Sequence, residues 1–435
     1  MSRRLACALT VAALAALPAA AAPTVADSGV QEWQVDFGTT GLLVEDHRVP
    51  LVKVVVELAA GTWSPWVVEH DARVAFELQL SDPSGSLRRR ADRLAAPISL
   101  QMGPRTATLS VTCGTTDLAA TLELIRDVLA NRELDRRELA RRRQNARIDW
   151  EGSLKSPEFV LRQADARLLF AMGDPRRHSF EKPKLPTTDL RRLVAARDAL
   201  VRFPGRVVGF AGDLTLEQAR GAARGLLPEP FAETPPGVAP LIGPLVPAES
   251  RPPEVTVRLP RLTQVYFSYL TGSPAWLDPD FAASRIADHA LGGHFNSRLV
   301  VALRQEAGDT YYARVVNEGG FDPGVWAIRT YTRSDNADAA EHRIREVLAR
   351  LHVEGVTEEE RALAAGNLVG KRVFQRESPM QLLATAMTER RHGLPYGFLD
   401  QQAENAAALP LDEVNAVIRR LYDQRLRTMV TLRSR

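Results

Sequence analysis

The sequence predicts an α+β protein made of two homologous domains, and three observations support this prediction. In both halves of the chain, β-branched runs with strand-like alternation are followed by amphipathic stretches with helical spacing. A proline-rich segment at 228–253 separates the halves. The stretch Ile125-Arg-Asp-Val-Leu-Ala130 matches Ile344-Arg-Glu-Val-Leu-Ala349 in the second half, which indicates that one domain was duplicated.

The first 22 residues have the pattern of a secretory signal peptide. Arg3 and Arg4 precede an apolar run at 5–17, and the small residues 19–22 follow Pro18. The run is shorter than the ~20 residues that a membrane-spanning helix needs, which disfavours a membrane anchor. No later segment is apolar enough to span a bilayer. We therefore expect an exported, periplasmic protein without a membrane span.

Charge and cysteine content exclude several classes of function. The chain has 56 Lys and Arg against 53 Asp and Glu, a net charge of +3, so it lacks the cationic excess typical of nucleic-acid-binding proteins. Of its two cysteines, Cys7 lies in the signal peptide. Cys113 alone can form neither an intrachain disulfide nor a thiolate zinc site, and its alternating surroundings predict a buried strand residue.

The first predicted domain covers 28–227. Its predicted strands are a hairpin at 33–37 and 41–45, then 51–58, 106–113 and 206–211. One helix is expected before the strand at 106, and others at 118–130, 135–154, 157–170, 189–202 and 216–226. Asp135 is a natural N-cap for its helix because its carboxylate can accept from first-turn amides.

The segment 228–253 is predicted to be an extended linker, because nine of its 26 residues are proline. The second predicted domain, 254–435, follows it. Its predicted strands are 254–259, 264–269, 311–317 and 325–331, and its predicted helices are 278–291, 297–306, 337–352, 358–372 and 379–391. Thr357 is the second natural N-cap.

The most informative segment begins at Leu291. It reads Gly-Gly-His-Phe-Asn-Ser-Arg-Leu, then Leu303-Arg304, then Gly308-Asp-Thr-Tyr311. This pattern resembles the second-domain signature of the pitrilysin/insulinase family, which includes the mitochondrial processing peptidases. In the first half, Gly41-Leu-Leu-Val44, Gly61-Thr62 and Gly212-Asp213-Leu214 also resemble the family. The resemblance implies mainly antiparallel sheets packed by helices, which together form half of a clamshell.

The resemblance also implies a functional pair, Arg304 and Tyr311, that positions the substrate backbone. A guanidinium and a phenol can donate to peptide carbonyls or to a developing oxyanion. On their spacing alone, Arg304 would instead be a solvated helix residue and Tyr311 a strand-core aromatic. The strand predicted at 311–317 would place Tyr311 and Tyr312 on opposite faces.

The family's zinc motif, His-x-x-Glu-His, is missing. Counting from the Gly61 turn places Val74, Glu77 and Leu78 where His, Glu and His belong. The family's third ligand would fall near the arginine triplet 141–143, which would repel Zn²⁺. His289 and His294 are five residues apart, so they do not share a helix face as zinc binding would need. We expect no metal and no cofactor in this chain, and zinc in its partner.

The resemblance implies a non-catalytic subunit that positions peptides in an exported heterodimeric zinc metalloendopeptidase. Its partners would be a homologous zinc-bearing subunit and a peptide substrate, bound by strand addition to a sheet edge. Two alternatives stay open. One is a non-enzymatic peptide-binding or scaffold protein of the same fold. The other is a self-sufficient hydrolase with an unrecognised site.

Overall fold

The computed structural model describes residues 29–434, so the predicted signal peptide at 1–22 lies outside the described residues. The first sheet contains β1 (Gln31–Asp36), β2 (Thr39–Glu45), β3 (Leu51–Leu58), β4 (Ser99–Met102), β5 (Ala107–Gly114) and β6 (Arg206–Gly212). The second contains β7 (Glu254–Arg258), β8 (Gln264–Gly272), β9 (Ala313–Asn317), β10 (Val325–Arg333) and β11 (Thr428–Arg433).

Helices pack against both sheets. Those of the first half are α1 (Pro65–Glu69), α2 (Ala72–Glu77), α3 (Ser86–Arg93), α4 (Leu118–Ala130), α5 (Arg136–Ser153), α6 (Pro157–Leu169), α7 (Leu190–Val201) and α8 (Leu216–Ala223). Those of the second are α9 (Phe281–Gly292), α10 (Arg298–Val300), α11 (Ala337–Glu354), α12 (Glu358–Glu377), α13 (Pro379–Arg391), α14 (Phe398–Ala408) and α15 (Leu411–Leu421). A π-helical turn, Val301–Glu306, continues α10.

The two sheets share one topology. The first has the order β1-β2-β6-β3-β5-β4 and the second β7-β11-β8-β10-β9, so the second reproduces the first without β1. In each, the first shared pair (β2/β6, β7/β11) is parallel and the others are antiparallel. The helices that carry the matching hexapeptides, α4 and α11, follow equivalent strands. The predicted α+β fold with two related, mainly antiparallel sheets is confirmed.

The first sheet is buried on both faces. Along β3, Val54 and Val56 face the core formed with the helices of the first half, whereas Val55 faces the opposite side. This explains why 51–58 reads as a nearly continuous apolar run rather than an alternating one.

The helix that covers this second face comes from the other half of the chain. Leu383, Ala386 and Met387 of α13 pack on Val55 and Val207 of the first sheet. Each buried leucine or methionine of this kind contributes about 1.5–3 kcal/mol. Polar contacts reinforce the packing, since Arg391 pairs with the buried Glu57 of β3 and Arg390 Nε lies 3.0 Å from Glu32 of β1.

The exchange is reciprocal, because α6 of the first half packs on the second sheet. Leu161 and Leu169 contact Leu270, Ala327 and Val430 on the face of that sheet away from α9.

A buried ion pair lies within this contact. Asp165 of α6 lies 3.0 Å from the Arg329 guanidinium of β10 and accepts from the Ser268 hydroxyl at 3.0 Å. Burial raises the pKa of Asp165 to about 6, although both neighbours favour the carboxylate.

A third contact between the halves lies at the end of α13. Arg105, in the turn between β4 and β5, pairs with Asp322 of the second half. Beside this pair, within the second half, the His392 ring stacks on Phe321 at 4.1 Å. Burial lowers the pKa of His392 to about 4, with Arg105 and Arg391 acting in the same direction. His392 is therefore neutral at physiological pH.

The proline-rich segment runs along the surface between the halves. Its contacts include Trp66 N to Gly237 O at 2.9 Å and Val246 N to Leu169 O at 2.8 Å. Within 228–253, all of which the structure describes, the regular structure is one short 3₁₀ turn, Ala248–Ser250, and a single β-bridge at Leu245.

Several elements differ from the sequence predictions. The strand predicted at 311–317 begins at Ala313, so Tyr311 and Tyr312 lie in the preceding loop. The helix predicted at 297–306 is α10 followed by the π-helical turn. The elements β4, α14, α15 and β11 were not predicted.

The reciprocal packing predicts that the buried pair Asp165–Arg329 is strongly coupled. We expect Arg329→Met to lower the free energy of unfolding by about 3–5 kcal/mol, because it leaves an unpaired buried carboxylate. The double variant Asp165→Asn/Arg329→Met should recover most of this loss, as measured by urea denaturation.

The control is Arg333→Met on the same strand, because Arg333 and its partner Asp335 are both exposed. Exposed pairs contribute about 0–1 kcal/mol. Equal losses for Arg329→Met and Arg333→Met would contradict the coupling.

Candidate functional site

The Gly-Gly turn brings the end of α9 against strand β9. A Cβ atom at Gly292 would lie 2.6 Å from the backbone nitrogen of Val315, so only glycine permits this approach. A Cβ at Gly293 would likewise lie 2.6 Å from the Cα of His289. The turn then leads through Ser297, the N-cap of α10, into the π-helical turn.

Arg304 lies in this π-helical turn. Such turns bulge the helix and are frequent at functional sites. The turn keeps Leu303 buried and Arg304 exposed. The Arg304 guanidinium lies over the ring of Phe295, 4.8 Å from its centroid. Within residues 29–434, Arg304 has no ion pair, so its donors remain available.

The loop that carries Tyr311 is anchored on both sides. The buried Asp309 carboxylate pairs with Arg343 and accepts from the Asn336 amide. The Thr310 hydroxyl accepts from the backbone nitrogen of Tyr312 at 3.0 Å. Tyr311 itself is 85% exposed. The loop is therefore held while the phenol points into solvent.

The structure brings the two predicted site residues together. Arg304 and Tyr311 line one open cavity of about 380 Å³. Its other lining residues are Gly292, Gly293, His294, Phe295, Val300, Tyr312, Ala313, Arg314 and Val315. The interpretation of Tyr311 as a strand-core aromatic is wrong, because the residue precedes β9 and is exposed.

Tyr312 is not on the opposite face of a strand either. It lines the same cavity, and its ring stacks on Tyr331 at 6.1 Å with Arg314 over it at 4.9 Å.

An unpaired strand edge borders this cavity. In the described part of the chain, β9 is the last strand of its sheet and pairs with β10 alone. Its residues Ala313 to Val315 line the cavity. An extended peptide could add to this edge through main-chain hydrogen bonds, within reach of the Arg304 and Tyr311 donors.

Two stacked histidines lie at the Gly-Gly turn, and one of them, His294, lines the cavity. His289, which is buried, stacks on His294 with centroids 4.6 Å apart and an interplanar angle of 25°. Burial lowers the pKa of His289 to about 4, with His294 and Lys371 acting in the same direction. Its Nδ1 has no hydrogen-bond partner among the described residues.

The position of the family's zinc motif is occupied by an ion pair. Glu77, at the end of α2, lies 2.6 Å from the Arg142 guanidinium and 2.9 Å from that of Arg73. Val74 is partly buried and Leu78 fully buried, so neither has a donor to offer. Arg142 is the middle residue of the triplet 141–143, where the third zinc ligand was expected.

These residues do not fit a zinc ion. A guanidinium already neutralises the one carboxylate at the motif position, and aliphatic groups stand at the two histidine positions. Among residues 29–434, no three His, Cys, Asp or Glu side chains are placed to hold a metal. Over the same range, none of the helices is both long and apolar enough to cross a bilayer.

Comparisons with known proteins agree with this geometry. A family model described as the Peptidase M16 inactive domain matches residues 206–368. No curated protein matches the chain. Among solved structures, the chain is similar to a peptidase M16 inactive domain from Pseudomonas fluorescens, with 18% identity, a TM-score of 0.77, and coverage of 93% of this chain and 98% of that one.

Two longer structures are also similar in fold. One is the periplasmic protease PqqL from Escherichia coli, with 16% identity and a TM-score of 0.72; the match covers 100% of this chain and 49% of that one. The other is the ferredoxin protease FusC, solved in complex with Arabidopsis ferredoxin, with 17% identity and a TM-score of 0.70; the match covers 99% of this chain and 48% of that one.

The chain is thus similar to domains of the M16 metallopeptidase family, and its own motif position lacks metal ligands. The resemblance to the pitrilysin/insulinase family, M16, is confirmed, because residues 206–368 match the model of its inactive domain and the chain is similar in fold to a solved M16 inactive domain.

The site predicts that the chain does not retain zinc. After incubation with excess zinc and desalting, we expect far less than one equivalent by elemental analysis, because Val74 and Leu78 cannot act as ligands. Arg142→Ala, the control, should not create binding, since both aliphatic positions persist. One equivalent of zinc, with peptide cleavage that a chelator abolishes, would contradict the assignment.

The depressed pKa values predict an acid-sensitive fold. The neutral forms of His289 and His392 persist in the folded state down to about pH 4, whereas unfolded histidine takes up a proton near pH 6.5. The unfolded state therefore binds more protons between these values, so stability is lost as the pH falls from about 6.5 to 4.

We expect the melting temperature to fall over this range, and His289→Leu to make the fall shallower. The exposed His342 on α11 provides the matched control, His342→Leu. An unchanged pH dependence of the melting temperature in His289→Leu would exclude this residue as a source of the acid sensitivity.

Proposed function

We propose that this chain is a non-catalytic, substrate-positioning subunit of an exported heterodimeric zinc metalloendopeptidase. The main observation in support is that Arg304 and Tyr311 line one cavity beside the unpaired edge of β9. Neither side chain is engaged in an ion pair or hydrogen bond within residues 29–434. In this role, the β9 edge holds an extended peptide, and the two side chains donate to one of its carbonyls.

The hydrolytic group belongs to a second chain in this proposal. The carboxylate of Glu77 at the motif position is paired with Arg142, so it is not free to activate a water molecule. The chain spans about half the length of the PqqL and FusC chains that it matches. A zinc-bearing subunit of similar fold would supply the other half.

Export to the periplasm is part of the same proposal. It is supported by the signal-peptide pattern at 1–22 and by the similarity to a protease described as periplasmic. The substrate class that the cavity suits is a peptide in extended conformation, because an open cavity beside a strand edge selects main-chain geometry more than side-chain identity.

A non-enzymatic peptide-binding protein is the second candidate. It is favoured by the ion pair between Glu77 and Arg142, which engages the one carboxylate at the motif position. The same cavity would then hold a peptide without its being cleaved. A homologous chain with an intact His-x-x-Glu-His motif that co-purifies with this one would decide for the heterodimer.

The test is cleavage by the reconstituted complex. We expect Arg304→Ala and Tyr311→Phe each to lower the cleavage rate, by up to about 10²–10³ if the lost donor acts on the oxyanion. The double variant should lose less than the product of the two effects, because both groups act on one transition state.

Matched controls are Arg425→Ala, an exposed arginine before β11, and Tyr266→Phe on β8, since neither residue lines the cavity. Complex formation and the melting temperature are measured for every variant. Turnover near that of the wild type for both site variants, in an assembled complex, would refute the positioning role.

A further inference from the structure

Helix α5 carries an excess of arginine that the fold does not neutralise. It contains six arginines. Arg141 and Arg142 pair with Glu138, and Arg142 also pairs with Glu77. The remaining four have no carboxylate within 4.0 Å among the described residues, namely Arg136, Arg137, Arg143 and Arg147.

Three of these four arginines lie on one side of the helix and line a groove. At 100° per residue, Arg136, Arg143 and Arg147 fall within about 40° of one another around the helix axis. They line a cavity of about 540 Å³. Its other lining residues are Leu139, Ala140, Gln144 and Thr188, so the lining contains no carboxylate and no aromatic ring.

The opposite wall of the groove is anchored. Thr187 donates its backbone N–H to the Asp71 carboxylate at 2.9 Å, which ties the segment to the start of α2. Asp189, the acidic residue next to Thr188, accepts from the backbone nitrogen of Arg191 at 2.9 Å as the N-cap of α7. This carboxylate is therefore engaged at the helix end.

The spacing of the three guanidinium groups suits an extended polypeptide. Along the helix axis, Arg143 and Arg147 are separated by about 6 Å, and Arg136 and Arg143 by about 10.5 Å. Alternate side chains of an extended strand project from one face every ~6.6 Å, which matches the separation of Arg143 and Arg147. The carboxylate two such steps from the one at Arg143, about 13 Å away, falls within ~3 Å of the axial position of Arg136, which a long arginine side chain can span. Each guanidinium can bind one carboxylate through two parallel hydrogen bonds.

We propose that this groove binds an acidic segment of a polypeptide, in extended conformation, with carboxylates directed at Arg136, Arg143 and Arg147. The site lies in the first half of the chain, on the helix that also carries Arg142, and is distinct from the cavity of Arg304 and Tyr311. Single-stranded nucleic acid fits less well, because its binding sites stack bases on aromatic side chains and this groove has none.

The test uses the chain alone and a fluorescein-labelled peptide of about ten residues with alternating Glu and Val. Anisotropy titration should show saturable binding that weakens with salt. The same peptide with Gln for Glu should bind at least about tenfold more weakly, because it lacks charge. Arg143→Gln and Arg147→Gln should each weaken binding of the Glu peptide about five- to tenfold.

Arg137→Gln is the matched control, since Arg137 is an equally unpaired arginine of α5 that does not line the groove. It should change affinity less than twofold, and thermal melts verify that each variant is folded. An equal loss of affinity in Arg137→Gln would show that binding depends only on the overall positive charge of the helix, and it would overturn the proposal. Equal binding of the Gln peptide would do the same.

Tighter binding of an oligothymidine of equal charge, lost in Arg143→Gln and Arg147→Gln, would assign the groove to nucleic acid instead. Because no partner subunit is present, these outcomes are independent of the proposed peptidase role.

Discussion

The reciprocal exchange of two helices determines how the rest of the molecule is arranged. Each sheet is covered on one face by helices of its own half and on the other by one helix from the opposite half, α13 on the first sheet and α6 on the second. Buried charged pairs, Glu57 with Arg391 and Asp165 with Arg329, lie within these two contacts. Because buried charges demand specific partners, they favour this pairing of helix and sheet over other ways of covering the same apolar faces.

This arrangement also connects the halves near the candidate site. The loop between β9 and β10, which follows the edge strand of the cavity, contacts the first half through Asp322 and Arg105 and the end of α13 through Phe321 and His392. The loop that follows the edge strand is thus tied to the first half and to α13. In the proposed function, a peptide that adds to this edge would meet a strand and loop already tied to the rest of the fold, which reduces the entropic cost of binding.

Much of the fold could be predicted from local patterns. The elements and contacts that could not be predicted have identifiable physical causes. The bounds of β3, α4 and α13 agree with the sequence, because strong alternation or helical spacing marks them. The helix α14 buries only Ala403 and Ala406 deeply, so its apolar signal is weak. The helix exchange could not be predicted, because periodicity reveals that α6 has a buried face but not which sheet covers it. Asp165 even makes that face polar, and its partner is 164 residues away.

The candidate site could be predicted from the sequence only in part. Its pattern suggested Arg304 and Tyr311, but not that a π-helical turn carries one and a loop tied down by Asp309 carries the other. From the sequence, the triplet 141–143 is only a cluster that would repel Zn²⁺. In the fold its members have three different surroundings, because successive helix residues point 100° apart. Arg141 pairs with Glu138, Arg142 reaches Glu77 and Arg143 lines a groove.

The helix exchange has a consequence for biosynthesis. Roughly 170 residues separate the end of β6, which completes the first sheet, from the start of α13, which covers it. At a synthesis rate of about 5–20 residues per second, α13 is synthesised on the order of 10 s or longer after β6. The apolar face that contains Val55 and Val207 remains uncovered during this time. The first half therefore cannot complete its fold as an independent unit during synthesis. A chain interrupted before α13 would retain an uncovered sheet face, and is better suited to recognition by chaperones and proteases than to accumulation.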